Sequence, residues 1–98
     1  MKEHKLAAFG HPIPGLRRVR QVALDDSTTC AVLETGAVRC WGWNTNGEIG
    51  DGTTDRRPRP VAVHGLSDAI SIGVGGSQTC ALRKTGAVSC WGSIGEQD

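Results

Sequence analysis

Thr29-Cys30-Ala31-Val32-Leu33-Glu34-Thr35-Gly36-Ala37-Val38-Arg39-Cys40-Trp41-Gly42 returns later in the chain as Thr79-Cys80-Ala81-Leu82-Arg83-Lys84-Thr85-Gly86-Ala87-Val88-Ser89-Cys90-Trp91-Gly92. The offset is 50 residues, from Cys30 to Cys80, and it also carries Gly15-Leu16 onto Gly65-Leu66 and Ser27 onto Ser77. The repeat therefore spans connecting segments as well as the central block. A period of this size is that of propeller blades, roughly 40–50 residues each, and exceeds the 33–34 of ankyrin or tetratricopeptide units.

Each unit reads as short strands and turns, with no helical period sustained over three turns. Residues 19–24 and 69–74 are rich in β-branched side chains and bounded by Gly, Asp or Ser, which predicts a first strand in each unit. Residues 28–33 and 37–41 form a hairpin around Glu34-Thr35-Gly36, and 78–83 with 87–91 repeat it around Lys84-Thr85-Gly86. A three-residue loop ending in glycine suits such a hairpin, because glycine takes the left-handed conformation that closes the turn. Between the units, Asn44 to Thr54 is dense in turn formers, with Gly47, Gly50 and Gly52 at turn positions. Pro58-Arg59-Pro60 then opens an edge strand near 60–64, since proline cannot donate to a ladder.

The loop register brings Cys30 opposite Cys40 and Cys80 opposite Cys90. Opposed residues in a non-hydrogen-bonded pair have Cα atoms about 4.5 Å apart, at the short end of what a disulfide tolerates. Two cross-strand disulfides are the favoured reading, each closing a loop of ten or so residues and stabilising by about 2–3 kcal/mol. Zinc would want Cys-x-x-Cys pairs, which the spacing does not supply. Reduced cysteines packed as small hydrophobes are the remaining alternative. Trp41 and Trp91 adjoin Cys40 and Cys90 and so point to the opposite strand face, where each indole is expected to pack between neighbouring blades. Trp43 has no counterpart, its equivalent being Ser93. It is the candidate for surface contact, together with Arg56 and Arg57.

Eleven basic residues against ten acidic ones leave the 98-residue chain near neutral, at +1. Neutrality argues against binding to nucleic acid through a global field. No run approaches the roughly 20 apolar residues of a membrane-spanning helix, so no membrane insertion is expected. His4, His11 and His64 are scattered, with no Ser or Cys placed to form a recognisable catalytic pair. Asn44 to Asp51 fails the spacing of a calcium loop, and Gly47, Gly50 and Gly52 fail that of a phosphate-binding loop. No catalytic residue, metal ligand or cofactor site is predicted.

The repeated block, continued by Trp43-Asn44-Thr45-Asn46-Gly47-Glu48-Ile49-Gly50-Asp51-Gly52, resembles the repeat of the regulator of chromosome condensation family. The two-cysteine variant is similar to repeats of long bacterial proteins, often exported ones. The resemblance covers residues 15–92 and implies four-stranded antiparallel blades, seven of them at about fifty residues each in complete members. It also implies a class of activity: the eukaryotic founder is a guanine nucleotide exchange factor for a small GTPase. The second repeat departs from the pattern after Gly92, lacking the Asn and the Gly-Asp-Gly turn.

The fold expected is all-β, two propeller-type repeats of an incomplete propeller: a tail over 1–10, a partial first blade over 11–42, a turn-rich loop over 43–59, a nearly complete second blade over 60–92 and a tail over 93–98. Repeat units bury their faces on neighbours, so two blades call for neighbouring repeats of a longer chain or for self-association. The expected function is a non-catalytic scaffold for a protein partner, with nucleotide exchange on a small GTPase as the alternative. The cysteine pairs suit an exported chain. The N-terminus lacks a signal-peptide core, which suits the cytoplasm.

Overall fold

The computed structural model describes Ile13 and residues 16–93. The expected tail over 1–10 and most of that over 93–98 lie outside the described residues, as do His4 and His11. Among the described residues seven strands form: β1 (Val19–Leu24), β2 (Thr28–Leu33), β3 (Val38–Gly42), β4 (Arg57–Ala62), β5 (Ala69–Gly75), β6 (Gln78–Arg83) and β7 (Val88–Gly92). All pairings are antiparallel, in a four-stranded sheet β1-β2-β3-β4 and a three-stranded sheet β5-β6-β7. The sheets are open rather than closed, and their organisation is that of propeller blades.

The repeat of sequence is a repeat of hydrogen bonds. Leu33 N donates to Ala37 O at 2.9 Å and Gly36 N to Leu33 O at 2.9 Å, while Arg83 N donates to Ala87 O at 2.8 Å and Gly86 N to Arg83 O at 2.9 Å. These turns set the register, pairing Cys30 with Cys40 and Cys80 with Cys90 across their strands. Both pairs are disulfide-bonded, with Cα atoms 4.0 Å apart in each.

The division between blades differs from the sequence-based expectation. The strand expected near 60–64 as part of the second blade forms at Arg57–Ala62 and pairs with β3, Arg39 opposite Ala62 and Cys40 opposite Val61. The first sheet is therefore the four-stranded one, and the second has three strands among the described residues. The connection ends at Arg56 and does not reach residue 59. The physical reason is long-range: Pro58 and Pro60 confine the strand to an edge, and Val61 and Val63 find apolar cover on the first sheet's core.

Strand alternation gives each sheet two faces. One carries the cysteines, with Val32 and Val38 in the first sheet and Leu82 and Val88 in the second. The other carries Thr29, Ala31 and Trp41 in the first sheet and Thr79, Ala81 and Trp91 in the second. The core forms where the cysteine face of the first sheet meets the tryptophan face of the second: Cys30, Cys40, Val32 and Val38 are fully buried there with Ile72 and Ala81. Polar bonds cross the same interface. Gln21 Nε2 donates to Ile72 O at 2.8 Å and Ile72 N to Gln21 Oε1 at 3.0 Å. Ala69 N donates to Gly36 O at 3.0 Å. Gly36 sits at φ +96°, and a Cβ there would lie 2.5 Å from Ser67 O, so turn and close packing both call for glycine.

Candidate functional site

The connection from β3 to β4 is rich in turn formers and contains a fully buried side chain, Asn44. Its amide nitrogen donates to Thr53 O at 2.9 Å and to Asp55 O at 3.0 Å, and its oxygen accepts from Ile49 N at 2.9 Å. One side chain thus replaces the backbone ladder that a loop lacks, and satisfies carbonyls that would otherwise be orphaned. Asp51 braces the far end. Its Oδ1 accepts from Thr53 Oγ1 at 2.7 Å and from Thr53 N at 3.0 Å, and its Oδ2 from Arg57 Nε at 2.6 Å. Burial pushes the Asp51 carboxyl up. The Thr53 hydroxyl, the Arg57 guanidinium and the Thr53 amide outweigh burial and hold it down at about 2.

Glu48 ties this loop to the second sheet. Its backbone carbonyl accepts from Thr79 Oγ1 at 2.7 Å and from Trp91 Nε1 at 2.8 Å. The Trp91 indole lies so close to Gly50 that a Cβ there would stand 2.6 Å from Nε1. Trp91 packs against the core between the two units. Trp41, on the corresponding face of the first sheet, is half-buried and outside that cluster.

Held by this frame, Trp43 projects outward with 54 % of its surface exposed. The Arg56 guanidinium lies over its ring, 5.5 Å from the centroid. Arg57, grouped with these two at the sequence level, is turned inward to Asp51 instead. An arginine over an aromatic face is a cation–π pair worth about 0.5–1 kcal/mol at an exposed site, and it steadies both side chains without satisfying the guanidinium's hydrogen-bond donors. The patch can therefore offer a flat apolar surface and a positive fork together.

A cleft of about 180 Å³ opens beside β7, lined by Gly50, Val63, His64, Leu66, Arg83, Ser89 and Trp91 among others. Arg83 Nε donates to Asp68 Oδ1 at 2.8 Å, and its Nη1 reaches Ser89 Oγ at 3.5 Å. Among the described residues, no group of three or more His, Cys, Asp or Glu is arranged to hold a metal ion. No helix of the described residues is long and apolar enough to cross a membrane. Gly47, Gly50 and Gly52 all have positive φ within the loop. Gln21, Asn44 as a buried hub, and the Glu48 carbonyl were missed as working groups by sequence reading. The signal for the loop pair was available, since Asn44 and Glu48 stand where the two units part in sequence, with Ile94 and Asp98 at the corresponding positions.

Family models of the regulator of chromosome condensation (RCC1) repeat match residues 19–48 and 35–82. The chain belongs to the RCC1 repeat family. Together the two matches span β1 to β5 and most of β6. Solved structures agree on the fold. Human WBSCR16 superposes at a TM-score of 0.75, with 23 % identity over 84 % of this chain and 22 % of its own. Yeast RCC1 (Prp20) bound to Kap60 superposes at 0.71, with 24 % identity over 82 % of this chain and 19 % of its own. Prp20p of Saccharomyces cerevisiae, in a study of its binding to Gsp1p and histones, gives 0.68 at 24 % identity. The chain spans about a fifth of the length of these RCC1-fold proteins.

Proposed function

We propose that this chain is a non-catalytic RCC1 repeat module that holds a protein partner through the loop between β3 and β4. The supporting observation is Trp43 under Arg56, an exposed aromatic with a stacked guanidinium on a loop fixed from within by Asn44 and Asp51. Trp and Arg are the side chains that most often dominate the energetics of protein interfaces, above all where the scaffold holds them in place. The partner chemistry that fits is a carboxylate beside an apolar contact.

Capture of partners on the immobilised chain tests this, with Trp43→Ala and Arg56→Ala against Lys84→Ala as a remote control. Retention of one defined species is expected to fall at least tenfold with either loop variant and to be unchanged with the control. Equal retention by all three overturns the reading. The second reading, nucleotide exchange on a small GTPase, draws on the yeast neighbour studied with Gsp1p. Acceleration of nucleotide release from a small GTPase by this chain would favour it over the scaffold.

A further inference from the structure

Asn46 and Gly47 stand together in the loop between β3 and β4, and the chain has one other asparagine, Asn44. The fold holds the two asparagines in opposite ways. Asn44 is fully buried, its side chain is bonded to Thr53 O, Asp55 O and Ile49 N, and Thr45 follows it. Asn46 is exposed. Among the described residues its side-chain amide makes no hydrogen bond, and only its backbone N–H is engaged, donating to Glu48 Oε1 at 2.8 Å. Gly47 has φ +76°, and a Cβ built on it would meet nothing within 4 Å. No side chain therefore hinders the approach of the Gly47 nitrogen to the Asn46 amide carbon, and the glycine backbone is free to turn toward it.

Asp51-Gly52 is the pair that could close a similar ring, and the loop prevents it. Ring closure there needs the neutral acid, whereas the Asp51 carboxylate is ionised and held by Thr53 and Arg57.

We propose that Asn46 is a site of spontaneous deamidation whose conversion loosens the tie between this loop and the second sheet. The Gly47 amide nitrogen, deprotonated by hydroxide, bonds to Asn46 Cγ. The bond from Cγ to the side-chain nitrogen breaks, and ammonia leaves with a proton taken from water, closing a five-membered succinimide. Water then opens the ring. Addition at Cγ gives aspartate, and addition at the main-chain carbonyl gives isoaspartate, whose main chain runs through the former side chain and is one carbon longer. No oxidant or reductant takes part. Gly47 N–H donates to Asn44 O at 3.0 Å, so this bond must open first. It closes a single turn of an exposed loop, which opens far more readily than the fold as a whole.

Either product adds a negative charge two residues from Glu48, which is 2 % exposed and whose carboxylate accepts the N–H of residue 46. Like charges so placed repel, and burial strengthens the effect. Isoaspartate also inserts its extra carbon into the turn that Gly47 N–H closes. Glu48 lies in the next turn, closed by Gly50 N on Gly47 O at 3.1 Å, and its carbonyl is the acceptor for Trp91 Nε1 and Thr79 Oγ1. Displacement of that carbonyl frees the indole N–H. The proposal rests on the chemistry of the loop itself and not on a partner at Trp43.

Incubation of the whole chain at neutral and mildly alkaline pH tests it, read by peptide mass spectrometry and by isoaspartate-specific enzymatic methylation. Residue 46 is expected to become acid at a rate within tenfold of that in denaturant, faster at the alkaline pH and with isoaspartate in excess of aspartate. Asn44 in the same sample is expected to stay amide. Gly47→Ala is expected to slow conversion at least tenfold. Asn46→Gln, which keeps a neutral amide but needs a larger ring, is expected to pass the same incubation unchanged, and it serves if circular dichroism shows Gly47→Ala unfolded. Exchange of the Trp91 indole proton, followed by NMR, is expected to be at least tenfold faster in the isoaspartyl chain than in fresh protein, with Asn46→Asp between them. An Asn46 that stays amide in the folded chain while it converts in denaturant overturns the proposal. So does undiminished conversion in folded Gly47→Ala, or an isoaspartyl chain whose Trp91 indole proton exchanges at the unmodified rate. Trp43→Ala is expected to leave both readouts unchanged, which separates failure of this proposal from failure of the loop as a partner surface.

Discussion

The same fourteen-residue motif occupies two environments in this molecule. In the first repeat its cysteine face is covered by the second sheet, and Cys30, Cys40, Val32 and Val38 have no exposed surface. In the second, Cys90 and Leu82 are exposed and Val88 is 64 % exposed. Hairpin register, turn hydrogen bonds and disulfides are nevertheless repeated between them. Local chemistry therefore makes the hairpin, and burial by a neighbour decides what each side chain contributes to stability.

Substitution of the turn glycines should separate these contributions most strongly. Gly36→Ala strains a positive φ and drives a methyl group into the Ser67 carbonyl, whereas Gly86 has the same φ and open space. Equilibrium denaturation should show a loss of about 3–4 kcal/mol at Gly36 and about 1 kcal/mol at Gly86. Equal losses would mean that the second sheet does not press on the first turn.

The loop between β3 and β4 supplies the next contrast. The Asp51 carboxyl titrates at about 2 in the fold and near 3.8 when unfolded, so the fold favours its ionised form. That contribution, on the order of 2 kcal/mol, is complete above about pH 5, shrinks as pH falls through the unfolded value and is lost below the folded one. Asp25, also held down, first by the Ser27 amide, acts in the same direction. Denaturation of Asp51→Asn between pH 7 and 2 should show a shallower acid loss than wild type.

Smaller still is the contrast at the paired valines. Val38→Ala removes buried methyl groups and should cost about 2 kcal/mol, while Val88→Ala should stay within about 0.5 kcal/mol of wild type in dilute solution. A comparable cost at Val88 in the monomer would show that its face is covered.

How much of this was legible in the sequence depends on the range of the interaction. The three-residue loops at Glu34-Thr35-Gly36 and Lys84-Thr85-Gly86 carry their own register, so the cross-strand cysteines and the opposite-facing tryptophans follow from local spacing. Assignment of Arg57–Ala62 to the first sheet does not, because its prolines mark an edge strand without naming the sheet it joins. The loop was legible as turns but not as a frame. Asn44 is an ordinary turn residue until its amide is found bonded to Thr53, Asp55 and Ile49 across the loop. Trp91 was readable as an interface residue, whereas its acceptor, a backbone carbonyl at Glu48, leaves no mark in side-chain pattern.

Among the described residues β3 is flanked on both sides and β7 on one. Native-state amide hydrogen exchange, at a concentration where the chain sediments as a monomer, compares them directly. The amide of Cys40, between β2 and β4, should exchange at least a hundredfold more slowly than that of Cys90, which occupies the same register in β7. Equal protection of the two amides in the monomer would contradict the account.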